Sequence, residues 1–171
     1  MIKLAGAILL ITGTVLCGYM SVSKMHRRVK SLNSIAASLS LMESEIADRL
    51  TPIPELMEIL SDDTFYPASF IYSGVAKRLG MLGEVSFSEI WCMAVDDENA
   101  LMLSPEERKL LRGLGFSLGK YSIYEQKKAV EYVRRKMEEH ALRADAEREK
   151  NARVQAVLGL AAGIFTVIIF I

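Results

Sequence analysis

The chain has 171 residues, of which 21 are basic and 21 are acidic, so its formal net charge is zero. This balance argues against a general nucleic-acid-binding protein, because such binding needs a clear excess of Lys and Arg. Two cysteines are too few for a disulfide scaffold and do not have the spacing of zinc ligands. A hydrophobic content of 51% beside 25% charged residues indicates that apolar and charged residues occupy different parts of the chain.

Residues 1–23 are predicted to form a transmembrane helix. No charged residue lies between Lys3 and Lys24, and a helix of that length spans roughly 30 Å, the thickness of the hydrocarbon core. A cleaved signal peptide is the alternative, since Ser21–Ser23 has the small-x-small form of a cleavage site. A basic cluster follows directly, however, and such clusters resist translocation. An uncleaved anchor is therefore preferred.

Residues 154–171 are predicted to form a second transmembrane helix. No charged side chain follows Arg153, and the remaining residues reach roughly 27 Å as a helix. Basic residues lie on the inner side of both spans: Lys24, Arg27, Arg28 and Lys30, then Arg143, Arg148, Lys150 and Arg153. Because positive charge marks the cytoplasmic side, we expect a two-pass protein of the cell membrane. Residues 24–153 would face the cytoplasm and both termini would lie outside.

The first arm of this middle region is predicted to continue out of the membrane as an amphipathic helix. Its apolar residues recur at three- and four-residue spacing: Val29, Leu32, Ile35, Leu39, Met42, Ile46 and Leu50. Most of its charged residues, Glu45 among them, are expected off that stripe. The helix is predicted to end at Thr51, because a residue before proline disfavours helical geometry. Thr51 is expected to cap the next helix, with Pro52 in its first turn.

Four further helices and a long final arm are predicted from breakers and caps. The second ends near Asp63, and the third runs from about Pro67 to Gly80. Two Ser-x-x-Glu capping boxes, at 86–89 and 104–107, begin the fourth and fifth helices. The fifth ends at Gly119, and the sixth begins near residue 123 and needs no break before the membrane. The expected inward residues are Leu56, Met57, Ile59, Leu60, Phe70, Ile71, Val75, Leu79, Phe87, Ile90, Trp91, Met93, Ala94, Val95, Leu110, Leu111, Leu114, Leu118, Val130, Val133 and Met137.

The predicted fold class is therefore all-α. Residues 24–153 would form a cytoplasmic bundle of about six helices, flanked by the two transmembrane helices, which are continuous with long arms. No stretch of this region alternates cleanly between apolar and polar residues, and it contains no Asn-Gly or Asp-Gly hairpin signal.

No pattern in the sequence indicates a catalytic, cofactor-binding or metal site, so the chain is predicted not to be an enzyme. His26 and His140 lie in charged surroundings and are predicted to be surface residues. The glycines of 113–119 superficially resemble a dinucleotide loop, but their spacing is wrong and no strand precedes them. They are predicted to let helices pack closely or to end one. The acidic run 96–99 lacks the alternate spacing and turn glycine of a calcium loop.

The order of these features resembles the stage III sporulation protein AB family. The resemblance rests on the N-terminal span, a Thr-Pro-x-Pro-Glu junction at 51–55, a Ser-Pro-Glu helix that ends at Leu118–Gly119, and a charged arm that leads to a second span. Further matching positions are Lys3, Leu4, Gly6, Leu41, Glu43, Glu45, Ile46, Phe116, Gln126, Leu158 and Gly159. One position departs from the family: Ser122 stands where an acidic residue is common.

The resemblance implies a role in endospore-forming bacteria, in the complex that links mother cell and forespore during engulfment. It implies a cytoplasmic domain similar to the helical domains of the type II secretion inner-membrane platform protein. The chain would sit in the mother-cell membrane around the forespore and couple a cytoplasmic secretion-type ATPase, stage III sporulation protein AA, to the channel. Its other implied partners are stage III sporulation membrane proteins and the lipid bilayer, with no nucleic acid. The sequence leaves a homo-oligomer open.

A docking surface for the ATPase is predicted at Asp62, Asp63, Asp96 and Asp97. The loops that carry them are acidic and are expected to lie far from the spans. Two alternatives to the non-enzymatic adaptor stay open. One is a membrane-tethered structural or assembly protein without ATPase contact. The other is an enzyme whose metal or nucleophile site is visible only in three dimensions.

Overall fold

The computed structural model describes the backbone of residues 2–97, 101–120 and 122–170, and the side chains of residues 23–97, 101–120, 122–155, 157–159 and 161. This part of the chain contains six α-helices and no strand, which confirms the predicted all-α class. The helices are α1 (Ile2–Ser44), α2 (Ile53–Asp63), α3 (Ser69–Ala76), α4 (Phe87–Asp97), α5 (Pro105–Ser117) and α6 (Ile123–Phe170).

The chain divides into two compact units, residues 28–141 and residues 1–27 together with 142–171. In the second unit, Arg148 pairs with Asp145 at 2.8 Å, and Asn151 Nδ2 donates to Met25 Sδ at 3.4 Å. The two predicted spans, 1–23 and 154–171, fall largely on side chains outside the described residues and stay a prediction. Within the described residues, no helix has a stretch both long and apolar enough to cross a bilayer.

The unit of residues 28–141, called the bundle below, has its core on the predicted apolar stripes. In α1, the stripe residues Val29, Leu32, Ile35, Leu39, Met42 and Ile46 are all buried. Leu50 is 60% exposed, contrary to prediction, because α1 ends in a π-helical turn, Glu45–Arg49, and Leu50 then adopts a left-handed conformation with φ 57°. The wider π turn changes the register of the residues that follow it.

Two further predictions at this junction are wrong: that Glu45 lies off the apolar stripe, and that Thr51 caps α2. Glu45 lies three residues after Met42 and therefore faces the same side of the helix, where it is buried. Its carboxylate accepts hydrogen bonds from Thr51 Oγ1 and Arg49 Nη1, each at 2.8 Å. The Thr51 hydroxyl is thus used to satisfy a buried charge. It does not cap α2, whose N-cap is Pro52 without a side-chain hydrogen bond.

The third helix is shorter than predicted, and Tyr72 rather than Phe70 is its buried aromatic residue. It ends at Ala76 and is followed by a 3₁₀ turn, Leu79–Met81. The Tyr72 hydroxyl lies 2.7 Å from Ser38 Oγ, which itself donates to the carbonyl oxygen of Ile35. Because the one Ser38 hydroxyl proton goes to Ile35, the Tyr72 hydroxyl is the donor to Ser38. Burial raises the pKa of Tyr72, so this hydroxyl stays neutral. The predicted inward residues that are only half-buried are Ile59, Leu79, Phe87, Met93 and Leu110.

Both predicted capping boxes are confirmed. The Ser86 N–H donates to Glu89 Oε2 at 3.0 Å, and the Glu89 N–H donates back to Ser86 Oγ at 3.3 Å. The hydrogen bond from the Ser86 N–H lowers the pKa of Glu89, because it stabilises the charged carboxylate. Ser104 and Glu107 make the equivalent pair at 2.7 and 3.3 Å.

A third capping box begins α6. The Ser122 N–H donates to Glu125 Oε2 at 3.1 Å, and the Glu125 N–H donates to Ser122 Oγ at 3.4 Å. The Ser-x-x-Glu pattern of this box is present in the sequence at 122–125, although no cap was predicted there. Ser122, the position that departs from the family pattern, therefore has a structural role as the first residue of this box.

Candidate docking surface

The four acids predicted to form a docking surface differ in their surroundings. Asp62 and Asp63 are exposed in the last turn of α2, and neither forms an ion pair with a described residue. The same helix carries Glu55 and Glu58, also exposed and unpaired, and has no basic residue. At 100° per residue, positions 55, 58 and 62 fall on one side of the helix. These four residues, the α2 acids, form an uncompensated negative face.

Asp96 and Asp97, in contrast, are neutralised by arginines. Asp96 Oδ2 lies 2.7 Å from Arg112 Nη1, and Asp97 Oδ2 lies 2.5 Å from Arg78 Nη2. Arg108 also donates to the carbonyl oxygens of Val95 and Asp96, at 2.6 and 3.1 Å. These pairs tie the end of α4 to α5 and to the segment after α3. The rest of the acidic run, residues 98–99, lies outside the described residues.

The loop after α2 contacts the first turns of α1 within the bundle. Ser34 Oγ donates to the carbonyl oxygen of Phe65 at 2.7 Å and accepts from the Ala68 N–H at 3.3 Å. The loop therefore folds back along α1 within the bundle, and the expectation that it lies far from the spans stays a prediction.

Beside the α2 acids stand three exposed aromatic side chains, Phe65, Tyr66 and Phe70, called the aromatic corner below. Their exposed fractions are 84%, 53% and 48%. The rings of Tyr66 and Phe70 pack edge to face with centroids 5.3 Å apart, and Lys30 Nζ lies 5.8 Å from the Tyr66 ring. Phe70 was predicted to face the core. In the sequence, the run Asp-Asp-Thr-Phe-Tyr-Pro at 62–67 places two aromatic residues beside a proline at a helix end. This pattern indicates a turn with exposed aromatic side chains.

A buried carboxylate joins three helices of the bundle. Glu107 on α5 is fully buried, and its Oε1 lies 2.6 Å from Arg28 Nη2 of α1 and 3.3 Å from His140 Nδ1 of α6. The His140 side chain is only 13% exposed, so the prediction of a surface residue is wrong. His26 is exposed, as predicted. In this group, called the Glu107 cluster below, the basic side chains neutralise the buried carboxylate. The cluster contains no nucleophile paired with a base.

The glycines of 113–119, whose spacing superficially resembles a dinucleotide loop, lie within or just after α5. Two of them have structural roles. A Cβ at Gly115 would lie 2.4 Å from Trp91 Cδ1, so only glycine fits against this buried indole. Gly119 has φ +78° just after the end of α5. Both predicted roles, close packing and helix ending, are thus confirmed.

In the parts of the chain that the structure describes, no three His, Cys, Asp or Glu residues lie together so that they could hold a metal ion. An open groove of about 370 Å³ lies between α5 and α6, lined mainly by apolar residues such as Leu110, Leu114 and Val133. The α2 acids and the aromatic corner are surface features that suit contact with another protein.

Comparison with known proteins gives consistent matches along the chain. A family model described as stage III sporulation protein AB matches residues 3–171. The chain is similar to stage III sporulation protein AB of Bacillus subtilis (strain 168), with 23% identity over 170 residues, or 99% of each chain. It is also similar to a solved structure of stage III sporulation protein AB (SpoIIIAB), with 21% identity and a TM-score of 0.65. That match covers 72% of this chain and 98% of the other.

Proposed function

Because this chain belongs to the stage III sporulation protein AB family, which implies a sporulation role, we propose that it is a non-enzymatic membrane platform of the mother cell–forespore channel. In this role it docks a cytoplasmic secretion-type ATPase, stage III sporulation protein AA, and couples it to the other stage III sporulation membrane proteins. Family membership supports the sporulation part of the proposal. The docking part is carried by one observation, the unpaired negative face of α2.

The pairing pattern of the acids supports a role for this face outside the fold. Several acids on α1, α4, α5 and α6 are held by arginines of the same unit, as in the pairs Arg134–Glu43 at 3.1 Å and Arg28–Glu107 at 2.6 Å. The α2 acids have no such partner among the described residues. Like charges on one helix face destabilise it slightly, and attraction to a basic partner would offset that cost. Asp96 and Asp97, in this proposal, stabilise the bundle that presents that face.

Reversing the charge of Asp62 and Asp63 tests the docking proposal. We expect the double variant Asp62→Lys, Asp63→Lys to bind the ATPase at least tenfold more weakly than the wild-type chain, because both attraction and steering are lost. Lysine at the end of a helix interacts favourably with its dipole, so the fold is retained. The measurement is the Kd of the full chain in lipid nanodiscs for the purified ATPase.

The matched control is Glu84→Lys, Glu106→Lys, which makes the same change in net charge at two exposed, unpaired acids elsewhere in the bundle. Its Kd should stay within about twofold of the wild-type value, because exposed charges outside the contact contribute little to the affinity. Equal weakening by both double variants would show a general charge effect and no docking site on α2. No binding by the wild-type chain would favour a structural protein of the complex without ATPase contact.

The membrane topology is proposed from the charge distribution: two spans, at residues 1–23 and 154–171, with the bundle in the mother-cell cytoplasm. Single cysteines would be placed at Ser61 or after Ile171 in a chain lacking Cys17 and Cys92. We expect a membrane-impermeant thiol reagent on intact, non-sporulating cells that express the chain to label the terminus and not position 61. Permeabilised cells, in which both positions should react, are the control. Labelling of position 61 in intact cells would overturn the topology and the ATPase contact with it.

A further inference from the structure

The aromatic corner lies next to the α2 acids, and hydrogen bonds on both sides hold the backbone that carries it. Thr64 Oγ1 donates to the carbonyl oxygen of Leu60 at 2.5 Å, and Ser34 binds both the Phe65 carbonyl and the Ala68 N–H. These bonds join the loop to α2 on one side and to α1 on the other. The backbone that carries Phe65 is therefore fixed, and its ring, 84% exposed, projects from it. A backbone ordered in advance loses little entropy when it binds a partner.

A cavity of about 170 Å³ opens between this loop and α1. Its walls are Ser34, Ala37, Ser38 and Leu41 of α1, together with Asp63 at the end of α2 and Thr64 and Phe65 of the loop. An apolar cavity of about 150 Å³ is large enough to hold a benzene ring. The cavity at the aromatic corner is thus of the size that takes one bulky apolar side chain from a partner. Such buried anchors carry much of the affinity of protein interfaces.

The charges around the cavity specify the rest of the partner. Asp63 contributes to the cavity wall itself, and Asp62 lies beside it without a counter-ion among the described residues. A segment that carries Lys or Arg next to its apolar anchor would complement both features. An anionic lipid surface would be repelled by the α2 acids. The charge pattern therefore favours a protein segment over the bilayer.

We propose that the α2 acids and the aromatic corner form one docking site for a basic protein segment, whose bulky apolar side chain enters the cavity beside Phe65. Its Lys or Arg residues lie against Asp62 and Asp63. The inference rests on the proposed adaptor function and deepens it, because it states which chemistry the ATPase must present to this chain.

Two variants of the full chain in nanodiscs test the anchor. Phe65→Ala removes the exposed wall of the cavity, and Ala37→Leu fills the cavity without changing the acids or the aromatic rings. Both positions are exposed, so the fold is retained. We expect each variant to raise the Kd for the ATPase at least tenfold. The control Phe116→Ala, at an exposed aromatic residue on α5, should change it less than about twofold. Unchanged binding by both cavity variants would overturn the anchor.

Photo-crosslinking separates this inference from the identity of the partner. The photoreactive residue p-benzoyl-phenylalanine would replace Phe65 or, as control, Phe116 in sporulating cells, and crosslinked peptides would be sequenced by mass spectrometry. A basic ATPase segment with an apolar anchor, crosslinked only from position 65, supports both proposals. Such a segment from another channel protein supports the docking site and contradicts the ATPase contact. Adducts with a second copy of this chain or with lipid, or no adduct above the control, overturn the docking site.

Discussion

Replacing Gly115 by alanine is expected to destabilise the bundle by about 2–3 kcal/mol. The new Cβ would lie 2.4 Å from Trp91 Cδ1 and 2.7 Å from Trp91 Cγ, where carbon atoms prefer separations of about 3.5–4.0 Å. The indole is fully buried and its Nε1–H donates to the Leu111 carbonyl oxygen at 2.6 Å. It cannot move away without breaking that bond, so overpacking of about 1–3 kcal/mol and the loss of a buried hydrogen bond both contribute. The helix propensity of alanine offsets up to about 1 kcal/mol.

The same helix provides the control for this prediction. A Cβ at Gly113 has no atom within 4 Å, so Gly113→Ala should stabilise the bundle by up to about 1 kcal/mol through helix propensity alone. Trp91 is the only tryptophan of the chain, and its fluorescence reports unfolding of the bundle during a urea titration of the full chain in detergent. Equal midpoints for the two variants would show that Gly115 does not pack against Trp91 as described.

Replacing Glu107 by alanine is expected to destabilise the bundle by about 3 kcal/mol. The change removes the partner of Arg28 at 2.6 Å, the contact with His140 at 3.3 Å and the cap on the Ser104 N–H at 2.7 Å. Breaking a buried ion pair costs about 3–5 kcal/mol. The lower end applies here, because the Arg28 side chain is 35% exposed and can turn to water. Urea titration followed by Trp91 fluorescence measures the loss.

Glu106 supplies the control for the Glu107 cluster. It is the preceding residue in the same first turn of α5 but is exposed, so Glu106→Ala should change the stability by no more than about 0.5 kcal/mol. Glu107→Gln keeps the shape of the side chain and removes its charge, and its effect should fall between those of the two alanine variants. A midpoint for Glu107→Ala equal to that of Glu106→Ala would contradict the role of the cluster.

Local sequence signals predicted those features that depend on neighbouring residues. The capping boxes at 86–89 and 104–107 form as expected, because Ser and Glu three residues apart satisfy each other's backbone N–H groups without help from the rest of the fold. The α1 stripe is buried for a similar reason, since helical periodicity alone sets which side chains share a face. The same spacing, Ser followed by Glu three residues later, accounts for the cap at Ser122.

The candidate docking surface could be predicted only in part from the sequence. The sequence shows that Asp62 and Asp63 are two acids at a predicted helix end. It shows the same for Asp96 and Asp97. What differs between the two pairs is whether an arginine neutralises them. Arg78 binds Asp97, 19 residues away, and Arg112 binds Asp96, 16 residues away. No arginine among the described residues reaches the α2 acids. Sequence spacing does not report such distant pairings.

By itself the sequence determined the helical class, the order of the six helices and most of the buried apolar positions, because these follow from periodicity and caps within a few residues. The tertiary structure decided which polar groups are buried and which aromatic groups are exposed. Glu107 lies inside the bundle because Arg28, 79 residues away in the chain, neutralises it. Phe65 stands in solvent because Ser34, 31 residues away, holds its carbonyl group against α1. A buried charge needs a specific partner, and such partners are brought together only when the whole chain has folded.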